Sequence, residues 1–476
     1  MRTVSAAAAG LLLLAAGCTV GTNYRKPDLP VPAAWKAPRD GGVDARSADL
    51  ARWWKSFDDP LLDSLVVRAI ESNLDLRIAE ARIREARALR AFAAGGAWPA
   101  VDVSGSYTRS RSSENAFPAE SQGGGGASGS FGGEARSLYR AGFDASWEID
   151  VFGGVRRTVE AADASVEASV EGRRDALVIL LGDVAANYID LRGFQRRLDV
   201  GRANLKAQQE TLYLTKIRFD AGLSSDLDVA RAEAQAQSTA SQIPALESGL
   251  IRAAHGLDVL LGLEPGSLWS ELSKEAPIPA LPSEVLVGVP SDLLRRRPDI
   301  RRAERQLAAA TAQTGAAMAD LFPRFFLIGT AGLQSAGASD WFTAGSRFWS
   351  IGPSVRWPLF DAGRIRANIE VRSAQQEQAL AQYEKSILGA LADVENALIA
   401  YAKEQARHRA LVSAVSSNRR ALEMANELYL RGLSEFLNVL DAQRALIVSE
   451  SALTESEAAM ASNLVALYKA LGGGWD

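Results

Sequence analysis

The chain has 476 residues, room for two or three ordinary domains or one elongated one. Its 53 Lys+Arg against 57 Asp+Glu leave a formal net charge of −4, which argues against the basic phosphate-facing surface of a nucleic-acid binder. One cysteine and two histidines argue equally against a disulfide framework, a cysteine-rich zinc site and a multi-histidine metal centre.

Met1 and Arg2 open the chain with a positive charge. Ala6 to Ala16 then form an apolar run too short to span a bilayer. This pattern predicts a signal peptide over 1–17. Leu14-Ala15-Ala16-Gly17-Cys18 resembles a bacterial lipobox, although Ala15 stands where the leucine three before the cysteine is usual. Cys18 is therefore expected to carry a covalent lipid, the one attached group anticipated, and acyl chains gain about 0.8 kcal/mol per buried CH₂. A chance cysteine at a plain cleavage site is the alternative. Thr19 replaces the Asp that resembles an inner-membrane retention signal, so the outer membrane is the expected destination.

The rest is a tandem duplication. At an offset of 210, Trp147 falls on Trp357, Leu181 on Leu391, Gly222-Leu223-Ser224 on Gly432-Leu433-Ser434, and Leu261-Gly262 on Leu471-Gly472. Earlier the offset is 224, bringing Asp75 onto Asp299, Ala79-Glu80 onto Ala303-Glu304 and Pro99 onto Pro323. The Gly/Ser-rich stretch Ser110 to Ser137 absorbs the difference and reads as a surface loop. The expected divisions are an anchored extended segment over 18–59, a first repeat over 60–262, a Pro-rich crossover linker over 263–298 and a second repeat over 299–472.

Each repeat opens with a helix, about Pro60 to Ala94 and about Asp299 to Leu321. Two short strands follow: Val101 to Thr108 and Ala141 to Ile149 in the first half, Phe325 to Leu333 and Ile351 to Leu359 in the second. Phe143, Ala145, Trp147 and Ile149 alternate with Asp144, Ser146 and Glu148. That period suits a membrane barrel, although a soluble β-hairpin is the plainer reading of the strands alone. Next come very long helices, Val155 to about Phe219 and Arg364 to about Leu430. Each would reach roughly 100 Å and has to pack sideways against other long helices. Gly222 and Gly432 suit a left-handed helix end, with a serine capping the helix that returns. Four strands cannot close a barrel, and lipid does not tolerate open edges, so several chains are required.

Several motifs together carry a family resemblance. They are Trp53-Trp54 with Asp59-Pro60-Leu61-Leu62, Asn73-Leu74-Asp75-Leu76, Val289-Pro290-Ser291-Asp292 with Arg296-Arg297-Pro298-Asp299, Pro358-Leu359-Phe360-Asp361-Ala362-Gly363, and Val439-Leu440-Asp441-Ala442-Gln443. With them the chain resembles the OprM/NodT family of TolC-like outer-membrane efflux lipoproteins. The resemblance implies a mainly α homotrimer with membrane β: four strands per chain close a 12-stranded β-barrel, continued by a periplasmic α-helical barrel. It implies a passive exit duct for drugs or other small molecules, docked through a periplasmic adaptor (membrane fusion) protein to an inner-membrane pump of the RND type. No metal and no nucleic-acid partner are expected. A type I secretion duct and a pore-less coiled-coil scaffold are the alternatives. An enzyme is not expected, because no phosphate loop, HExxH or nucleophile arrangement stands out.

By the same resemblance, Gly222, Leu223, Ser224, Gly432, Leu433 and Ser434 are adaptor-docking tips, and Asp441, Asp228 and Tyr429 form the pore constriction. Ordinary readings stand beside these: a plain helix-turn-helix, a capping box from Ser225 to Asp228, and a solvated helix face for Asp441. Asn438 and Ser434 replace charged gate residues of the TolC relative, which implies a gate with fewer ionic ties.

Overall fold

A computed structural model describes residues 19–37, 43–44, 50–111, 113, 135–282 and 285–475. Cys18 and the signal over 1–17 lie outside the described residues. The chain divides into two compact units, one within Met1–Lys26, Glu85–Val166 and Arg305–Leu380, the other within Pro27–Arg84, Glu167–Glu304 and Ala381–Asp476.

In chain order the helices are α1 Pro60–Ser72, α2 Leu74–Gly95, α3 Gly154–Asp220, α4 Asp226–Leu260, α5 Trp269–Leu272, α6 Pro290–Arg296, α7 Pro298–Ala319, α8 Arg364–Leu430 and α9 Phe436–Ala470. The strands are β1 Val43–Asp44, β2 Ala100–Arg111, β3 Ala135–Ile149, β4 Val285–Leu286, β5 Arg324–Ser335 and β6 Arg347–Arg356. The duplication is carried in the helix lengths. Helices α3 and α8 have 67 residues each, and α4 and α9 have 35 each.

The first unit holds a four-stranded antiparallel sheet in the order β2-β3-β5-β6. Register makes its two faces chemically distinct, because side chains alternate along a strand. Val103 pairs with Phe143, Phe143 with Ala331 and Ala331 with Trp349, so these residues share one face. Val101, Tyr107, Ile351 and Val355 lie on it too. The other face carries Asp102, Ser104, Asp144, Thr330 and Ser350, with Ser104 Oγ donating to Asp144 Oδ2 at 2.6 Å. Val103 is 76% exposed and Trp349 77%, values anomalous for a face in water and normal for one in lipid. Among the described residues no helix is long and apolar enough to cross a membrane.

Two sequence expectations shift here. Strands β2 and β3 reach Arg111 and Ala135, so the expected loop from Ser110 to Ser137 is narrower; residues 112 and 114–134 lie outside the described residues. Strand β6 runs Arg347–Arg356 rather than Ile351 to Leu359. Its ladder with β5 starts at Leu333↔Arg347 and ends at Arg324↔Arg356, where β5 itself begins.

In the second unit Asp59 caps α1, its Oδ1 accepting from Leu61 N at 2.9 Å and Leu62 N at 3.1 Å, with Pro60 in the first turn. This is the physical content of the Asp-Pro-Leu-Leu motif. Leu62, Leu65, Val66 and Ala69 are buried. The helix expected from Pro60 to Ala94 is two helices. Asn73 leaves the helical conformation, sends Nδ2 to Leu260 O at 2.8 Å and accepts from Leu76 N at 3.0 Å. The expected linker is also more ordered than its prolines suggest, since it contains α5, α6 and β4, which pairs in parallel with β1.

Tyr188, Arg192 and Gln195 project from α3 into this core. Tyr188 Oη donates to Asp59 Oδ2 at 2.7 Å and accepts from Arg192 at 3.0 Å. Arg192 also donates to Gln195 Oε1 and Lys274 O, each at 2.7 Å. Burial pushes the Tyr188 phenol well above the ordinary tyrosine range, and its bond to Asp59 adds to the rise.

Candidate functional site

The residues expected at the tips and constriction all lie in the second unit, around the turns α3–α4 and α8–α9. Both turns close in the same way. Leu223 N donates to Arg218 O at 2.7 Å and Leu433 N to Leu428 O at 2.9 Å, with Gly222 at φ +74° and Gly432 at φ +73°. These are Schellman-type ends, whose left-handed residue favours glycine. Just beyond, Leu223 and Leu433 are 67% and 71% exposed. Each tip therefore presents a solvent-facing leucine on a fixed turn, suited to an apolar partner surface.

The helices returning from the tips begin differently. Ser225, not Ser224, caps α4. Its Oγ accepts from Asp228 N at 3.2 Å and donates to Asp228 Oδ2 at 2.8 Å, while Ser225 N reaches the same oxygen at 3.2 Å. Ser224 Oγ adds a fourth bond at 3.2 Å. The capping-box reading of Asp228 is thus realised in the fold. Helix α9 has Glu435 at its N-cap, which makes no side-chain cap, and Asn438 Nδ2 instead donates to Ser434 Oγ at 2.8 Å. Replacing Ser225 by Ala is expected to cost about 1 kcal/mol locally. The measurement is amide hydrogen exchange at Asp228 and Val229, which should accelerate about five-fold; unchanged rates would mean that the cap contributes nothing.

Behind the tips sits a small core of Ala232, Phe436, Val439 and Leu440, packed by Leu212, Leu422, Ala425 and Tyr429. Tyr429 lies 5.3 Å from the Phe436 ring, centroid to centroid, and the Arg218 guanidinium stacks 4.7 Å above the Tyr429 ring. Neither Tyr429 Oη nor Arg218 Nε, both buried, has a hydrogen-bond partner among the described residues. Arg218 and Phe436 were not among the expected site residues. Arg218 reads in sequence as a cation favoured at a helix C-terminus, and nothing local links it to Tyr429.

Asp441 is exposed on α9. Its helix is fixed from the opposite side by Gln443, which donates to Thr211 Oγ1 at 3.0 Å, while Arg444 reaches Gln235 Oε1 at 2.7 Å. Asn438 is exposed one turn earlier on the same face. Among the described residues no hydrogen bond or ion pair joins Asp441, Asp228 and Tyr429 to one another. One chain brings them to the same end of the helical hairpins.

The profile of the outer membrane efflux protein family matches residues 65–263 and 289–473, and the chain belongs to that family. It is 35% identical over 474 residues to nodulation protein T of Rhizobium leguminosarum bv. trifolii, covering 98% of this chain and 96% of the relative. To the solvent efflux pump outer membrane protein SrpC of Pseudomonas putida it is 33% identical over 472 residues, covering 98% and 97%. The solved outer-membrane channel OprN superposes with a TM-score of 0.89 at 38% identity, over 96% of this chain and all (100%) of that one. The protein is thus an OprM/NodT-type outer membrane factor of TolC-like fold, an efflux exit duct and not an enzyme.

Proposed function

We propose that three copies close one duct, each giving four strands to a 12-stranded barrel in the outer membrane. The observation that carries this is the sheet with one apolar face and two outer strands, β2 and β6, each paired on one side only among the described residues. Unpaired backbone on those edges is not tolerated in lipid, and cyclic closure removes it. The relatives' solvent-efflux naming supports small-molecule cargo over a secreted polypeptide. In this reading the tips Gly222-Leu223-Ser224 and Gly432-Leu433-Ser434 dock a periplasmic adaptor protein, which links the duct to an RND-type inner-membrane pump. Asp441, Asp228 and Tyr429 line the periplasmic constriction, and Cys18 carries the lipid.

The mass of the detergent-solubilised particle tests the closure. Three chains per particle are expected. A stable monomer retaining the full β content would overturn it.

A further inference from the structure

Residues 19–24, which follow Cys18 directly, form no helix or strand, yet they are held closely within the first unit. Val20 N donates to Phe152 O at 3.1 Å. The Arg157 side chain, only 3% exposed, donates to Val20 O at 3.1 Å, Gly21 O at 3.1 Å, Asn23 Oδ1 at 2.8 Å and Glu160 Oε2 at 2.7 Å. Three of these four acceptors belong to the segment. Arg157 also sits in the first turn of α3, where the helix dipole disfavours a cation, so helix stability does not explain it.

The surface under the segment is pared to fit. A Cβ on Gly21 would lie 2.6 Å from Gly315 Cα, one on Gly153 2.8 Å from Thr19 Cγ2, and one on Gly315 3.0 Å from Arg157 Nε. Gly21 holds φ +90° at the point of closest approach. Beyond it Tyr24 packs on Ala164, Ala308 and Ala309, with the Arg305 guanidinium 5.6 Å from its ring.

We infer that residues 19–24 are a strap locked by Arg157, coupling the chain end that carries Cys18 to the helix that follows strand β3. An anchor attached to Cys18 would then be tied to the lipid-facing sheet through a buried hydrogen-bonded clasp rather than a loose leash. Only this consequence rests on the lipid-anchor reading; the clasp stands without the lipid.

Hydrogen exchange read by mass spectrometry on the full-length reconstituted protein tests it, following a peptide over 19–26 and a control peptide over 139–149. In the unmodified sequence the strap peptide is expected to be protected. Gly21→Ala drives a Cβ against Gly315 Cα and strains the φ +90° turn, and Arg157→Lys removes the forked donor set. Each should speed exchange of the strap at least ten-fold while the control peptide stays unchanged. Cys18→Ser, exported behind an ordinary signal, should keep the strap protected. An unprotected strap in the unmodified protein would overturn the inference. So would protection surviving both variants, acceleration spread equally over the control peptide, or loss of protection on removing Cys18. Absence of a lipid mass on the mature N-terminus would defeat the anchor reading and leave the strap intact.

Discussion

Asp441→Ala is expected to abolish most of the block that a trivalent cation, added on the periplasmic side, exerts on single-channel current through the trimer. The carboxylate is exposed on α9 while the buried face of that helix is fixed by Phe436, Val439, Leu440 and Gln443. Three symmetry-related copies would surround one axis. A trivalent ion about 6 Å from three such carboxylates gains about 6 kcal/mol in water, and a Debye length of ~8 Å at physiological salt cuts that to about 3 kcal/mol. Block should therefore weaken about 100-fold, and the effect should shrink further as salt rises. Asp228→Asn should do less, because Oδ2 of Asp228 already accepts from Ser224 and Ser225. Unchanged block and conductance in Asp441→Ala would make this residue a solvated helix position only.

Arg192→Ala should give the largest loss of stability among single truncations in the second unit. The side chain is buried and holds Tyr188, Gln195 and the Lys274 carbonyl together, and Tyr188 in turn holds the residue that caps α1. Gln195 Nε2 bonds Leu272 O at 2.9 Å, so the same cluster pins the segment around α5. Removing one partner from a buried charged network costs about 3–5 kcal/mol, because the groups left behind cannot return to water. In thermal scans the unfolding of the helical region should fall by roughly 10 °C. Arg192→Met, which fills the space without a charge, should recover part of the loss. A fall of only a degree or two in Arg192→Ala would show that water replaces the guanidinium there.

Much of this fold was legible because duplication repeats each signal. The long helices, both glycine turns and the four-strand alternation follow from patterns within a few residues, and each appears twice. What escaped depends on distant partners. Asn73 interrupts an unbroken helical period because its side chain answers Leu260 O, 187 residues away. Strand β1 exists only beside β4, and two residues carry too little pattern to announce a strand. At the site, the tip turns and the capping role of Asp228 were readable from local spacing. The Arg218–Tyr429 stack was not, since it joins two different hairpins and satisfies neither polar group in the usual way. The bare start of α9 also escaped, because a serine was expected to cap both returning helices and Glu435 makes no side-chain cap.

The two hairpins share length and turn geometry but differ in the first turn of the returning helix. Ser225, Asp226 and Asp228 stand in one where Glu435, Phe436 and Asn438 stand in the other. One tip is tied by its own serine–aspartate pair, the other by an aromatic plug set into its neighbours. A ring of three chains would alternate these two kinds of end, six in all, around its rim. Any collar built from identical subunits would then meet two inequivalent footholds. Its copies must either adapt in pairs or grip one class firmly and the other lightly. Divergence after duplication would thereby have converted a six-fold outline into a three-fold chemical code, and partner choice could evolve at one class of foothold while the other kept the duct in place.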